Sequence, residues 1–361
     1  RRARKGRRSS AFLFISVTDR CNLTCTGCWV TAAEPSRELS FEALDRIITE
    51  YKEENNASFF GLLGGEPLLY PHLMQILEKH RDCFFQVLTN GLLLNEETAR
   101  QFRRLGNVTP LISIEGTPEV SDIRRGGESV YDRSMQAIEA CRRNGLIIGV
   151  ATSICRNNIG ELATETFVTD LIQRGVHYLW YYIYRPVGPD PAPSLALDEN
   201  QILDLRRFLV DARCRFPILL VDAYWDADGN AFCPAAEGMS HHIGPGGDIE
   251  PCPPIQFSGE NIHDTSSLNR LFQQSRFLSE FRETAASVGR GCILLEGPDV
   301  LHALLVRTEA GDTTGRGTGL EEIGRMRKRA CHHLPGKEIP EKHWLYRFAK
   351  KHWFFGLGTY G

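Results

Sequence analysis

The stretch AFLFISVTDRCNLTCTGCW, Ala11 to Trp29, decides the fold. Its first part, Ala11–Val17, is an apolar run that reads as a strand, and the cysteines Cys21, Cys25 and Cys28 sit on the loop behind it. Working outward, the same texture recurs. Apolar runs at Ser58–Leu63, Phe84–Leu88, Val108–Ile114, Leu146–Ile154 and His177–Tyr184 read as strands. Between them lie helical patterns at Phe41–Glu53, His72–His80, Glu96–Leu105, Tyr131–Arg143 and Glu161–Gln173. Ser40 and Asn95 are N-cap candidates, and Gly106, Gly145 and Gly175 stand where helices should stop. Six βα units in a row predict a parallel sheet with helices outside it, and right-handed crossovers curl such a sheet into a full or partial barrel.

The Pro-rich stretch Pro186–Pro193 breaks this rhythm. Asp198 then opens another helix, with Gln201 completing a capping box, and Phe216–Val221 is a further apolar strand. After Trp225 the chain turns to Gly, Pro, Cys and His, with little core of its own and a need for a staple. The expected organisation is a basic arm over 1–10, a barrel over 11–225, a Cys-rich region over 226–340 and an aromatic, basic tail over 341–361.

Composition sets the outer limits. The 361 residues are 42% hydrophobic and 24% charged, which provides a packed core and excludes global disorder. A net charge of −3, from 42 basic and 45 acidic side chains, argues against a dedicated nucleic-acid binder. No apolar run is long enough to span a bilayer. Eleven cysteines are too dilute for a disulfide scaffold, and the count is odd. With no secretory signal behind the basic Arg1–Arg8 segment, the expectation is a cytoplasmic, reducing home with metal-binding cysteines.

Three thiolates at C-x3-C-x2-C spacing can grip three irons of a [4Fe–4S] cubane and leave the fourth without a protein ligand. Zinc would call for a fourth Cys or His nearby, and none follows within ten residues of Cys28. Other segments add to this. Gly64-Gly65-Glu66-Pro67 follows the second strand, Leu88-Thr89-Asn90-Gly91 ends the third, Ser113-Ile114-Glu115-Gly116 ends the fourth, and Asp122-Ile123-Arg124-Arg125-Gly126 comes next. As a set, in this order over residues 11–190, they resemble the radical S-adenosylmethionine (SAM) enzymes. The departures are Gly27, where the family's C-x3-C-x-aromatic-C has an aromatic, and Glu115, where it has Asp.

The resemblance implies a partial (β/α)6 TIM-like barrel of the α/β class. It implies a [4Fe–4S] cluster on Cys21, Cys25 and Cys28, with SAM chelating the open iron. Gly64, Gly65 and Glu66 would lie against the SAM amino group, Arg125 would pair with its carboxylate, and Asn90, Ser113 and Glu115 would complete the cofactor site. Cluster-driven cleavage of SAM would release a 5′-deoxyadenosyl radical, which takes hydrogen from an unactivated C–H; the cofactor carries the chemistry and the protein supplies orientation and dryness. The electron would come from a flavodoxin- or ferredoxin-like partner.

Cys233, Gly247 and Cys252 stand as C-x13-G-x4-C, which resembles the opening of the SPASM or shorter twitch extension. The remainder of a SPASM pattern is missing; only Cys292 and Cys331 follow. The resemblance therefore implies one auxiliary [4Fe–4S] cluster on Cys233, Cys252, Cys292 and Cys331. Cys83, Cys141, Cys155 and Cys214 read as small core residues. His241, His242, His332 and His333 flank these ligands and read as supporting or surface groups.

For substrate chemistry, Tyr182 and Arg185 at the end of the sixth strand and Asp222 after the next are the catalytic candidates, Asp222 as a proton acceptor during product oxidation. The substrate could be a peptide, a lipid or a small molecule. The tail mixes Trp, Tyr and Phe with Lys, Arg and His, a composition that suits a membrane interface as well as a helix docked on the barrel. The rival of another class is a non-catalytic iron–sulfur carrier or sensor, which has no use for a SAM pocket.

Overall fold

A computed structural model describes residues 12–55, 58–264 and 267–352. Seven parallel strands follow one another in chain order: β1 Phe12–Ser16, β2 Phe59–Leu63, β3 Phe84–Thr89, β4 Val108–Ser113, β5 Gly149–Ile154, β6 Tyr178–Ile183 and β7 Leu219–Val221. Between them run α1 Phe41–Asn55, α2 Leu73–Lys79, α3 Glu96–Leu105, α4 Pro118–Arg125, α5 Val130–Arg143, α6 Ile159–Leu162, α7 Glu165–Gln173 and α8 Glu199–Arg215. The caps act as expected. Ser40 Oγ accepts from Ala43 N, Asn95 Oδ1 accepts from Thr98 N, and Asp198 and Gln201 close a reciprocal capping box. The helix expected over Glu161–Gln173 is two helices, because Thr164 caps a fresh start by accepting from Phe167 N.

The Cys-rich region does more than hang from the barrel. Strand β8 Ser240–Ile243 pairs in parallel with the free edge of β1, and β9 Ile249–Glu250 folds back against it, giving a nine-stranded sheet in the order β7-β6-β5-β4-β3-β2-β1-β8-β9. Gly247, at φ +85°, makes the hairpin turn. A buried chain fixes the new edge: Ser16 Oγ bonds His242 Nε2 at 2.8 Å, His242 Nδ1 bonds Glu250 at 2.5 Å, and Thr313 donates to the same carboxylate. His242 is thus a fully buried connector. One apolar core runs across position 225, taking Leu13 and Ile15 together with Ile243, Ile249 and Phe257.

Beyond the hairpin come α9 Leu268–Gln274, α10 Arg276–Val288, α11 Ile293–Glu296, α12 Pro298–Thr308, α13 Gly319–Arg325 and α14 Trp344–His352, and Phe257–Ser258 pairs with Gly311–Asp312 as β10 and β11. Helix α14 docks on the barrel: Tyr346 Oη accepts from Leu220 N at 2.9 Å, and Lys350 is buried. Its other face exposes Trp344, Leu345 and Phe348. The basic arm and the tail beyond His352 lie outside the described residues. No described helix is long and apolar enough to cross a membrane.

Candidate active site

The loop after β1 is built to hold its thiols in place. Buried Asp19 accepts from Ala33 N and Arg37 N, which pulls both ends of the loop together. Inside it, Cys28 N donates to Cys25 O, and Thr26 N donates to Arg124 O of α4. Cys21 is exposed, whereas Cys25 and Cys28 are half-buried. Burial raises the Cys21 thiol and pushes Cys28 up to about 11, an environment that a bound cation reverses by favouring thiolate.

Among the described residues, the group of His80, Asp82 and Cys83 brings three ligand atoms within 4.8 Å of one another, and neither functional cysteine set does. Sulfurs around one tetrahedral zinc would stand about 4 Å apart. The donor set therefore fits a polynuclear cluster better than a single ion.

Gly64 and Gly65 have a packing reason of their own. A β-carbon at Gly64 would overlap Thr18 O, and one at Gly65 would overlap Arg20 O. Gly65 N donates to Thr18 O and Glu66 N to Arg20 O, both at 2.8 Å, so this turn runs flush against the backbone leading into Cys21. The Glu66 side chain is wholly buried and already engaged: it accepts from Leu68 N, Thr89 Oγ1 at 2.7 Å and Asn90 N at 2.8 Å. Burial raises its pKa, and these donors oppose that. Glu66 thus ties the second and third strand ends together. Asn90 Nδ2 donates to Asn22 Oδ1 at 2.7 Å and lies 4.0 Å from Cys21 Sγ.

On the other side, Glu115 is bracketed by two arginines, Arg125 at 2.5 Å and Arg124 at 2.8 Å, and also accepts from Ser153 N. Arg125 Nη1 reaches to 4.0 Å from Cys25 Sγ. Ser113 ends β4 half-buried. Arg124 was not singled out from sequence; its neighbour took the motif position, and only the fold shows it stacking 5.1 Å over the Tyr184 ring. That ring also explains Gly27, where φ is +69° and a β-carbon would overlap the Tyr184 hydroxyl. Tyr184, the residue just after β6, thus occupies the space beside this loop position.

Arg185 corrects one expectation. It is not a free substrate contact: Nε donates to Cys292 Sγ at 3.1 Å, and the guanidinium packs 5.3 Å from the Tyr224 ring centre. The thiols of the second set share one neighbourhood. Burial pushes Cys233 up to about 11, with Cys292 adding; burial also raises Cys252, with Cys233 and Cys292 adding. Cys331 is pushed up to about 12 by burial, and its sulfur accepts from His333 N at 3.2 Å beside Gly291. His332 is buried against Phe232 O, and burial lowers it to about 3.

Asp222 corrects another. Its carboxylate is buried among Arg213 at 2.5 Å, Lys350 at 3.3 Å and Arg206 at 3.7 Å. Burial would raise its pKa, but the three cations hold it far below the usual range, so it cannot act as a proton acceptor. It is a structural anchor. Tyr182 keeps its candidacy. With Tyr178, Trp180, Leu111 and Val221 it belongs to a separate apolar cluster contributed by β4 to β7, and its buried hydroxyl has no hydrogen-bond partner among the described residues.

The site is thus a parallel α/β sheet with a three-thiol loop after its first strand, braced by a Gly-Gly-Glu turn and flanked by Arg125. Residues 15–161 match the radical SAM superfamily. Over that segment the chain is similar to a family whose members use a [4Fe–4S] cluster and SAM. It is 26% identical over 224 residues to Fe-coproporphyrin III synthase of Methanosarcina barkeri, covering 58% of this chain and 55% of the relative. It is 30% identical over 156 residues to the AdoMet-dependent heme synthase of the same organism, covering 42% and 44%. The chain thus spans about half the length of these two curated relatives. The solved structure of Streptococcus suis SuiB bound to S-adenosylmethionine shares the fold, with a TM-score of 0.64 at 17% identity over 77% of this chain and 68% of that one.

Proposed function

We propose that this radical SAM enzyme abstracts hydrogen from an unactivated carbon and oxidises or couples the product with the help of one auxiliary [4Fe–4S] cluster on Cys233, Cys252, Cys292 and Cys331. The observation that carries the reading is Arg185. It leaves the end of barrel strand β6 and donates to Cys292 in the second cysteine set, so the barrel and the second set meet at one buried charge. When bound, the first cluster and SAM supply the radical. The chain's own residues bind and orient. Arg125, steadied by Glu115, presents a cation beside Cys25 for the SAM carboxylate. Asn90 extends toward Cys21, and Tyr184 packs against the loop at Gly27. A flavodoxin- or ferredoxin-like protein is the electron donor in this reading.

The test is anaerobic reconstitution followed by dithionite and SAM. Formation of 5′-deoxyadenosine is expected, and its absence from cluster-loaded protein overturns the reading. Iron should reach about eight per chain and fall to about four in the Cys233→Ala, Cys252→Ala double variant; an unchanged count rejects the auxiliary site. A second reading, a lipid substrate met at a membrane surface, is favoured by the exposed Trp344, Leu345 and Phe348 on docked helix α14. Vesicle co-sedimentation that is lost in the Trp344→Ser, Phe348→Ser double variant is its expected signature.

A further inference from the structure

A solvent-open cleft of about 800 Å³ runs between the Pro-rich stretch after β6 and the segment from Thr314 to Arg329. Its lining includes close neighbours of a cysteine from each set. Trp29 follows Cys28, Gly188 packs so closely on Cys28 O that a β-carbon would overlap it, and Pro254 stands two residues past Cys252. Trp29, Pro186, Phe257, Ile323 and Met326 give the cleft an apolar lining.

Its charge is one-sided. Among the described residues, four arginines and a single carboxylate, Glu322, line it. Glu322 is engaged by Arg316, which donates through Nε at 3.0 Å and Nη2 at 2.7 Å, and by the Thr318 hydroxyl at 2.7 Å. The remaining nitrogen, Arg316 Nη1, is buried and has no hydrogen-bond partner among the described residues, on a side chain that is 12% exposed. Arg325 pairs outward with Glu321. Arg327 reaches only backbone carbonyls, Met326 O nearest at 3.0 Å. Neither Arg327 nor Arg329 forms an ion pair among the described residues. Guanidinium groups left in this state beside an apolar surface complement carboxylates carried on an apolar body.

We propose that this cleft binds the substrate, and that the substrate is a polycarboxylate with an apolar body, its acid groups taken by Arg316, Arg327 and Arg329. The proposal rests on the radical SAM reading and deepens it. Two sources carry this chemistry: a flat tetrapyrrole with propionate arms, or a peptide with glutamates flanking aromatic residues.

The test uses anaerobically reconstituted holoenzyme and isothermal titration calorimetry with three probes: coproporphyrin III, its tetramethyl ester, and a peptide alternating Glu and Phe. One acid probe should bind, and affinity should fall with added salt. For the porphyrin, the ester should bind at least about tenfold more weakly. The Arg327→Gln, Arg329→Gln variant should weaken binding by about a hundredfold, roughly tenfold for each charge-assisted contact. Arg327→Lys, Arg329→Lys should recover part of the loss, which a merely misfolded cleft would not allow. Whichever acid probe shows this dependence identifies the source. Failure of both acid probes to bind, an ester that binds as well as the acid, or indifference to the glutamine variant overturns the proposal. Formation of 5′-deoxyadenosine by the wild-type enzyme tests the parent reading separately, so the two can fail independently.

Discussion

Gly65→Ala is expected to lower 5′-deoxyadenosine formation by at least about a hundredfold and to strip iron from the first cluster site. Gly65 lies against Arg20 O with no room for a β-carbon, one residue before Cys21. The two backbone bonds there, Gly65 N to Thr18 O and Glu66 N to Arg20 O, set where Cys21 leaves the sheet. Alanine must part the two segments. Overpacking of this kind costs about 1–3 kcal/mol in stability, which a chain with a continuous core tolerates. The larger loss is positional, because displacement by about 1 Å at a reacting site can cost about a hundredfold in rate. Gly160→Ala is the control. Nothing lies within 4 Å of a β-carbon there, and its stability should be unchanged or slightly higher. Iron content, 5′-deoxyadenosine yield and Tm on the two variants check the prediction; normal iron and yield in Gly65→Ala would refute it.

The second large effect concerns the buried ion network. Arg206, Arg213 and Lys350 enclose Asp222 and Glu341, and all five side chains are almost wholly buried. Asp222→Ala leaves three cations facing one carboxylate, and removing one partner from such a network costs about 3–5 kcal/mol. Tm should fall by roughly 4–7 °C. Lys350→Met should cost less than half as much, because the network holds a surplus cation. Burial already pushes Lys350 down to about 8, despite Asp222 beside it.

The pH dependence follows from the direction of the Asp222 shift. Its folded pKa is depressed, so its contribution is complete above the unfolded value of about 4 and is lost as the pH falls below that. Tm measured from pH 6 to pH 3 should drop more steeply for wild type than for Asp222→Ala. Parallel curves would remove Asp222 from its anchoring role.

The sequence by itself determined what is local. Strand and helix periods placed seven parallel strands and most of their helices, but not the helix Pro118–Arg125, to within a few residues, because a period is a property of one segment and its own faces. Cap residues such as Asn95 and Asp198 acted as read, since their partners lie three positions away. The three-cysteine loop was legible for the same reason: its thiols are held by one short turn.

What the tertiary structure decided is long-range. Asp222 looked like a base at a strand end until Lys350, 128 positions on, and two helix arginines closed around it. Arg185 looked free until Cys292, 107 positions away, came within hydrogen-bond distance. Strand β8 looked like part of an appendage until it paired with β1, an edge 226 residues distant as measured from Ser16 to His242. No spacing rule encodes these meetings. They are fixed by burial, which forces each charge and each open sheet edge to find a partner wherever the chain brings one.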